Sequence, residues 1–177
     1  TLNPGELFSG ETDKLEKGFA PSVARFFMMQ AHYGSQLDFS NDALLAAEKG
    51  FNRLMDGVKK LETLKAGGKT DWDFSNWKKD CYAAMNDDFN TPVLIAKLFD
   101  AVRFMNASDV AGCGLSSEEL ADFQTTFNAF VFDVLGLETA TSSSESGTEN
   151  KLDAAMQVLI EMRNAARNDK DWALSDK

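Results

Sequence analysis

The chain has 177 residues, of which 44% are hydrophobic and 26% are charged, as in a soluble globular protein with a sizeable core. Lys and Arg total 18 against 28 Asp and Glu, so the formal net charge of -10 repels phosphate backbones and anionic membranes. No apolar run approaches the roughly 18 residues of a membrane span, and two cysteines without metal-ligand spacing fit a reducing cytosol. Any contact with nucleic acid must therefore come from a local cluster of cations.

Residues 1–20 are predicted to be mostly loop, because Pro4, several glycines and scattered charges leave room only for a short helical turn around residues 14–17. The first clear helix is predicted to begin at Pro21, a residue that suits the first helical turn. Apolar residues at helical spacing follow until Gly34 ends the pattern: Val23, Phe26, Phe27 and Ala31.

A long amphipathic helix is predicted to begin after Ser40, which suits the N-cap position, and to run to about Lys65. Its apolar positions alternate steps of three and four: Leu44, Ala47, Phe51, Leu54, Val58 and Leu61. After the break "AGGKT", Ser75 is predicted to cap a shorter helix. The apolar face of this shorter helix carries Trp77, Cys81 and Ala84.

Three further helices are predicted. The first follows "NDDFNTP", with Thr91 as its cap and Pro92 at its first position, and its apolar residues are Ile95, Leu98, Phe99 and Val102. The second begins with a capping box of Ser116 and Glu119 and ends at Gly136, with the stripe Leu120, Phe123, Phe127, Phe130 and Val134. The third follows a serine-rich loop that is expected to be the most mobile region, and it carries Leu152, Ala155, Leu159, Met162 and Ala166.

These patterns predict an all-α fold, because no segment shows sustained apolar alternation of period two. The stripes that begin at Leu44, Leu120 and Leu152 share one spacing, and such stripes are buried by packing against one another. The sequence therefore predicts an antiparallel helical bundle built on these three helices, with Phe127 and Leu159 buried in it.

The residue pattern gives little support for a catalytic site. His32 is the only histidine and lacks a nucleophile or a second metal ligand at a recognisable spacing, so we interpret it as structural or facing nucleic acid. Asp87 and Asp88 could form an acid–base pair or hold Mg²⁺, but adjacent acids in a turn more often cap the next helix and accept backbone N–H bonds. Cys81 and Cys113 are interpreted as buried packing residues, and neither a metal site nor a catalytic residue is predicted.

One concentration of cations stands out at the tip that joins the long helix to the shorter one. It contains Lys59, Lys60, Lys65, Lys69, Lys78 and Lys79. Two interpretations stay open: a solvated surface, or phosphate contacts assisted by the neighbouring aromatic residues Trp72 and Trp77. A weaker cluster contains Arg163, Arg167 and Lys170.

Three blocks, "ARFFMMQAHYGSQLDFSNDAL", "MNDDFNTPVLIAKLFDAV" and "NDKDWALSDK", resemble the bacterial cysteinyl-tRNA synthetases, a class I family, downstream of the catalytic core. The blocks occur in the family's order and at about its spacing, and "TLNPGELFSG" resembles the segment after the family's "KMSKS" loop. The resemblance implies that residues 1–40 are a connecting stem-contact segment. It also implies that residues 41–177 are an anticodon-binding helical bundle of the DALR type, truncated at its C-terminus, that docks tRNA.

The resemblance and the charge pattern together imply a set of tRNA-binding residues: Arg25, His32, Tyr33, Lys59, Lys60, Lys78, Lys79, Arg163 and Arg167. By resemblance, His32 and Tyr33 lie at the joint between the catalytic domain and the bundle, where they position the tRNA and do not catalyse. The family commonly has arginine where this chain has Gly34, so a phosphate or carboxylate contact at that place is not predicted here.

The "HIGH" and "KMSKS" motifs and the Cys/His zinc ligands of this family do not occur in the sequence. The resemblance therefore implies an internal fragment that opens with Thr1, stops at "DWALSDK", binds no cofactor and is inactive alone. The full-length ligase is expected to use ATP and zinc and to be a cytoplasmic monomer without membrane contact. Its catalytic domain and tRNA are the expected partners of this segment.

The leading hypothesis is a tRNA-binding helical domain of a cysteine–tRNA ligase, which in full length attaches cysteine to its tRNA using ATP and whose bundle orients the tRNA. The alternative is a non-catalytic structural or protein-interaction bundle with no nucleic-acid role, which the net charge of -10 permits. A free-standing enzyme with His32 and the Asp87–Asp88 pair is a third hypothesis, and it lacks the other groups that a reaction needs.

Overall fold

Six α-helices and one π-helical turn are present in the computed structural model, which describes residues 3–108 and 112–138. They are α1 (Pro4–Ser9), α2 (Pro21–Met29), α3 (Asn41–Glu62), α4 (Phe74–Asn86), α5 (Thr91–Ala107), α6 (Ser117–Asn128) and the π-turn (Ala129–Val134). The predicted all-α antiparallel bundle is confirmed. The serine-rich loop, the last helix with Leu159, and the cluster of Arg163, Arg167 and Lys170 lie outside the described residues.

Residues 3–20 are mostly non-helical, as predicted, but a short helix, α1, lies at Pro4–Ser9, where none was predicted. The Asn3 side chain accepts the Glu6 N–H at 2.9 Å, and the Glu6 carboxylate accepts the Asn3 N–H at 3.0 Å. This reciprocal pair satisfies two backbone donors, and Pro4 occupies the first turn, where its missing N–H costs nothing. Residues 14–17, where a helical turn was predicted, are not helical.

The predicted caps were partly right. Ser40 caps α3 by accepting the Ala43 N–H at 3.3 Å, and Ser116 with Glu119 forms the predicted capping box of α6. The caps predicted at Ser75 and Thr91 were wrong: Asp73, which favours the N-cap position about as strongly as Ser75 does, caps α4, and Asn90, which favours it more than Thr91 does, caps α5. Asp73 accepts the Asn76 N–H at 2.9 Å to begin α4, and Asn90 accepts the Val93 N–H at 3.4 Å to begin α5.

The centre of the core differs from the prediction, because α5 lies in the middle of it. Helix α3 packs on α2 and α5, α4 packs on α5, and α6 makes a smaller contact with α3 and α4. Gly57 in α3 allows the close approach to α5, since a Cβ there would lie 2.6 Å from Cγ2 of Val102. The most buried residues of α5 are Leu94, Leu98, Ala101, Val102 and Met105.

An aromatic cluster fills the space between α4, α5 and α6. Phe123 has no exposed surface, and five rings lie with their centroids within 6.0 Å of its own: Trp72, Phe74, Trp77, Phe104 and Phe127. The predicted burial of Phe123, Phe127 and Phe130 is confirmed. Because edge-to-face ring pairs add to ordinary burial energy, this cluster holds α6 onto the hairpin of α4 and α5.

The π-turn changes which side chains of the last described helix are buried. The Leu135 N–H donates to the Phe130 carbonyl at 3.0 Å, a step of five residues. One additional residue in the turn rotates the helix face that follows. Val134, predicted to be in the core, is therefore 48% exposed, whereas Val131 and Leu135 are buried. The helix then ends as predicted at Gly136, whose φ of 59° is left-handed.

Candidate nucleic-acid interface

Lys59 and Lys60 lie in the last turn of α3, where positive side chains are favoured by the helix dipole. Both are exposed. The Lys59 ammonium is 3.8 Å from an Asp56 carboxylate oxygen, with about three quarters of each side chain in solvent. An exposed pair of this kind is weak, so the ammonium groups of Lys59 and Lys60 are accessible to an external anion.

Lys78 and Lys79 are neighbours in α4 but differ in their surroundings. The Lys78 ammonium donates to both carboxylate oxygens of Asp122 in α6, at 2.7 and 2.8 Å. This hydrogen bond is the main reason why the pKa of Asp122 lies below its usual value. Lys79 is exposed, and no ion pair to it is found within residues 3–108 and 112–138. Lys79 is therefore more available to a phosphate than Lys78.

The loop that carries Lys65 and Lys69 is fixed by its main chain. The Cys113 N–H donates to the Lys65 carbonyl at 2.9 Å, and the Gly67 N–H donates to the Leu115 carbonyl at the same distance. These bonds tie the connection between α3 and α4 to the segment that enters α6. The side chains of Lys65 and Lys69 are exposed, and the backbone is held at residues 65 and 67.

Trp72 and Trp77 are not available to assist the phosphate contacts that one of the two open interpretations gave to the lysine tip. Trp77 is 4% exposed, and its indole N–H donates to the Lys97 carbonyl at 2.8 Å. Trp72 is partly buried and stacks on Phe104, with ring centroids 4.0 Å apart. Both indoles belong to the aromatic core around Phe123, because the apolar area gained there exceeds what an exposed tip would offer.

Arg25 is engaged in an internal contact. Its guanidinium donates to the Gly136 carbonyl at 2.8 Å, which joins α2 to the residue that ends the π-turn. The carbonyls at a helix end lack intrahelical partners, so Arg25 satisfies one of them. Any contact of Arg25 with tRNA must use the remaining donors of its planar guanidinium.

His32, Tyr33 and Asp88 come together, although 55 residues separate Tyr33 from Asp88. The Tyr33 hydroxyl donates to the Asp88 carboxylate at 2.7 Å, and this bond raises the pKa of the Tyr33 phenol. The His32 ring stacks on Tyr33 with centroids 4.6 Å apart, and its Nε2 is 3.8 Å from Asp88. No pattern in the sequence indicates this pairing, because the contact depends on how two distant segments pack in the folded chain.

Asp87 and Asp88 do not cap α5, so the capping interpretation of this pair was wrong. Asp87 accepts from the side-chain amide of Asn90 at 3.3 Å and so orients the actual cap. Asp88 faces Tyr33 and has a left-handed backbone, φ 54°. The Thr91 hydroxyl, predicted as a cap, donates instead to the Met29 carbonyl at 2.8 Å. This hydrogen bond therefore joins the start of α5 to the end of α2.

Both cysteines are packing residues, as predicted. Cys81 is fully buried and Cys113 is 3% exposed, and both are free thiols. Burial raises the pKa of the Cys81 thiol to about 12, so it stays protonated at neutral pH. Within the described ranges, no three side chains of His, Cys, Asp or Glu are grouped closely enough to hold a metal ion. Nor is any helix among these residues long and apolar enough to cross a membrane.

Residues 81–139, which include part of α4 and all of α5, α6 and the π-turn, match the DALR domain family. The chain is also 44% identical to the cysteine–tRNA ligase of Porphyromonas gingivalis over 172 residues, 97% of its length. It is 41% identical to that of Bacteroides fragilis over 97% of its length, and 39% identical to that of Chlorobaculum tepidum over 90%.

The chain is thus homologous to part of the cysteine–tRNA ligases, and the resemblance found in the sequence is confirmed. It spans about a third of the length of these relatives, 35% for the first two and 33% for the third.

Proposed function

We propose that the chain is a tRNA-docking helical domain of a cysteine–tRNA ligase, which in full length attaches cysteine to its tRNA using ATP. The observation that carries this proposal is 44% identity to such a ligase over 97% of the chain. The DALR match over residues 81–139 supports a role in holding tRNA. The bundle contributes orientation, because a tRNA held in one pose brings its 3′ end to a distant active site without an additional entropic cost.

The tRNA-binding residues are proposed to act through the phosphate backbone. Lys59, Lys60 and Lys79 present accessible ammonium groups in an acidic chain, and such contacts supply affinity without sequence information. Lys78 contributes only when it leaves Asp122. His32 and Tyr33 are proposed to face the tRNA within the connecting segment, residues 1–40, which joins the catalytic domain to the bundle, residues 41–177.

The remaining parts of the ligase function are proposed for the whole protein. The residues that activate cysteine, together with ATP and zinc, are assigned to a catalytic domain, because the "HIGH" and "KMSKS" motifs do not occur in these 177 residues. That domain is the proposed protein partner. The isolated chain is proposed to be inactive and free of cofactors, and the whole ligase is proposed to be a cytoplasmic monomer.

The chain is expected to bind labelled cysteine tRNA, with an affinity that falls as salt rises, because phosphate contacts release counterions. Fluorescence anisotropy at about 50 and 200 mM salt measures this. A structural or protein-interaction bundle would give no saturable signal at either salt concentration, and that result would exclude the docking proposal. Unlabelled cysteine tRNA as competitor separates binding of RNA from binding of the dye.

Replacing Gly34 with arginine is expected to strengthen tRNA binding without loss of stability. Gly34 is exposed, its φ is not left-handed, and a Cβ there would be 3.5 Å from the His32 ring, an ordinary contact. One additional phosphate contact steepens the log-affinity against log-salt slope by about 0.7 to 0.9. Gly34→Gln is the control for size, and equal affinities of the two variants would contradict the expectation.

A further inference from the structure

A groove of about 470 Å³ lies between α4 and α6. Its chemistry comes from side chains of four kinds: cations, aromatic rings, an amide and a carboxylate. The side chains that matter for its binding properties are Phe74, Lys78, Lys79, Tyr82, Asn86 and Asp122. No contact described so far in this molecule uses Tyr82 or Asn86.

Tyr82 offers an anchored but accessible ring. It is 52% exposed, and its ring packs edge-to-face on Phe130, with centroids 5.2 Å apart and an angle of 63° between the planes. Phe130 is itself 4% exposed and belongs to the core. The contact with a buried neighbour restricts the ring of Tyr82, so a flat ligand that stacks on it costs less conformational entropy than at an unsupported side chain.

The charges of the groove favour an anionic ligand. Lys78 and Asp122 pair at 2.7 Å, so the two charges largely cancel. Lys79 then leaves one positive charge on the rim, in a chain whose formal net charge is -10. A local cation beside an accessible ring is the combination that single-stranded nucleic acid uses, with the backbone on the cation and a base on the ring.

Spacing along α4 places these groups in one row. Lys79, Tyr82 and Asn86 follow one another by three and four residues, and residues at such steps share a helix face. Lys79 and Asn86 are seven residue steps apart, about 10 Å along the helix axis. This length fits one nucleotide with its flanking phosphates.

We propose that this groove binds one unpaired nucleotide of tRNA. The base stacks on the Tyr82 ring, the phosphate contacts Lys79, and the Asn86 amide hydrogen-bonds a base edge or the ribose 2′-hydroxyl. The inference rests on the proposed tRNA-docking function and adds to it an aromatic contact. Tyr82 is thus the accessible aromatic residue beside the lysines, whereas Trp72 and Trp77 pack in the core.

Two pairs of variants test the groove in the whole 177-residue chain, with labelled cysteine tRNA as the probe. Tyr82→Phe keeps the stacking surface, whereas Tyr82→Leu keeps apolar bulk on Phe130 but loses the flat ring. We expect Tyr82→Phe to bind as the original chain does and Tyr82→Leu to bind at least about fivefold more weakly. Lys79→Gln should lower the salt slope by about 0.7, and Lys49→Gln, the same charge change at an exposed site in α3, should not.

The outcomes separate this inference from the function it rests on. If the original chain binds tRNA and Tyr82→Leu binds equally well, the nucleotide site is excluded and the docking function stands. If the original chain binds no tRNA, both are excluded. Thermal unfolding shows whether Tyr82→Leu stays folded. If it does not, Asn86→Ala, at an exposed position that only the groove uses, takes its place and should bind more weakly than the original chain. Unchanged affinity of Asn86→Ala would then overturn the nucleotide site, whatever the slopes of Lys79→Gln and Lys49→Gln show about the docking function.

Discussion

Replacing Phe123 with alanine is expected to lower the free energy of unfolding by about 3 to 5 kcal/mol. Phe123 is completely buried and touches the rings of α4, α5 and the loop that precedes α4. The substitution removes a large apolar area and leaves a cavity that five rigid rings cannot fill. Urea unfolding followed by circular dichroism measures the change.

Phe132→Ala is the matched control for this loss. Phe132 lies in the π-turn and is 38% exposed, so its truncation should cost less than half as much. Equal costs at the two positions would show that Phe123 is not the centre of the core. Because domains of this size are stable by only about 5–15 kcal/mol, the Phe123 variant should also melt at a clearly lower temperature.

Changing Lys59, Lys60 and Lys79 together to glutamine is expected to weaken tRNA binding and to flatten its salt dependence. Each lost contact with single-stranded or looped RNA reduces the log-affinity against log-salt slope by about 0.7, so three contacts reduce it by about 2. The free energy of unfolding should barely change, since the three side chains are exposed. Anisotropy titrations over a range of salt concentrations measure the slope.

Lys78 serves as the internal comparison for the triple variant. Its ammonium is held by Asp122 at 2.7 Å, so adding Lys78→Gln should change the salt slope little further. An additional decrease of the same size as for the other lysines would mean that the Asp122 pair opens when tRNA binds. If the triple variant binds tRNA with unaltered affinity and slope, the lysines only solvate the surface, and their proposed role is excluded.

Helix positions could be predicted from the sequence because they depend on local information. The apolar steps of three and four from Leu44 to Leu61 and the capping box at Ser116 involve residues within one or two turns of each other. The errors at Ser75 and Thr91 arose where two capping side chains compete within two residues. There the choice depends on small differences in backbone geometry that the sequence does not display.

The packing partners could not be predicted in the same way. Helix α5 is central because Gly57 permits its close approach to α3, a contact between residues far apart in the chain. Val134 likewise lies outside the core because of the π-turn. The π-turn could not be predicted from apolar residues spaced at the regular period of 3.6, because it adds one residue to a single turn. The candidate site changed for the same reason, since the lysine cluster was visible in the sequence but the Lys78–Asp122 pair was not.

By itself, the sequence determined the all-α class, the relation to the cysteine–tRNA ligases and the presence of a lysine cluster, because composition, periodicity and extended motifs are properties of the chain alone. The tertiary structure decided which aromatic residues are available to a ligand. Trp77 is buried in the core, Trp72 packs against it, and Tyr82 is exposed at the surface. Burial is settled by the elements that pack above a side chain, and those elements lie elsewhere in the sequence.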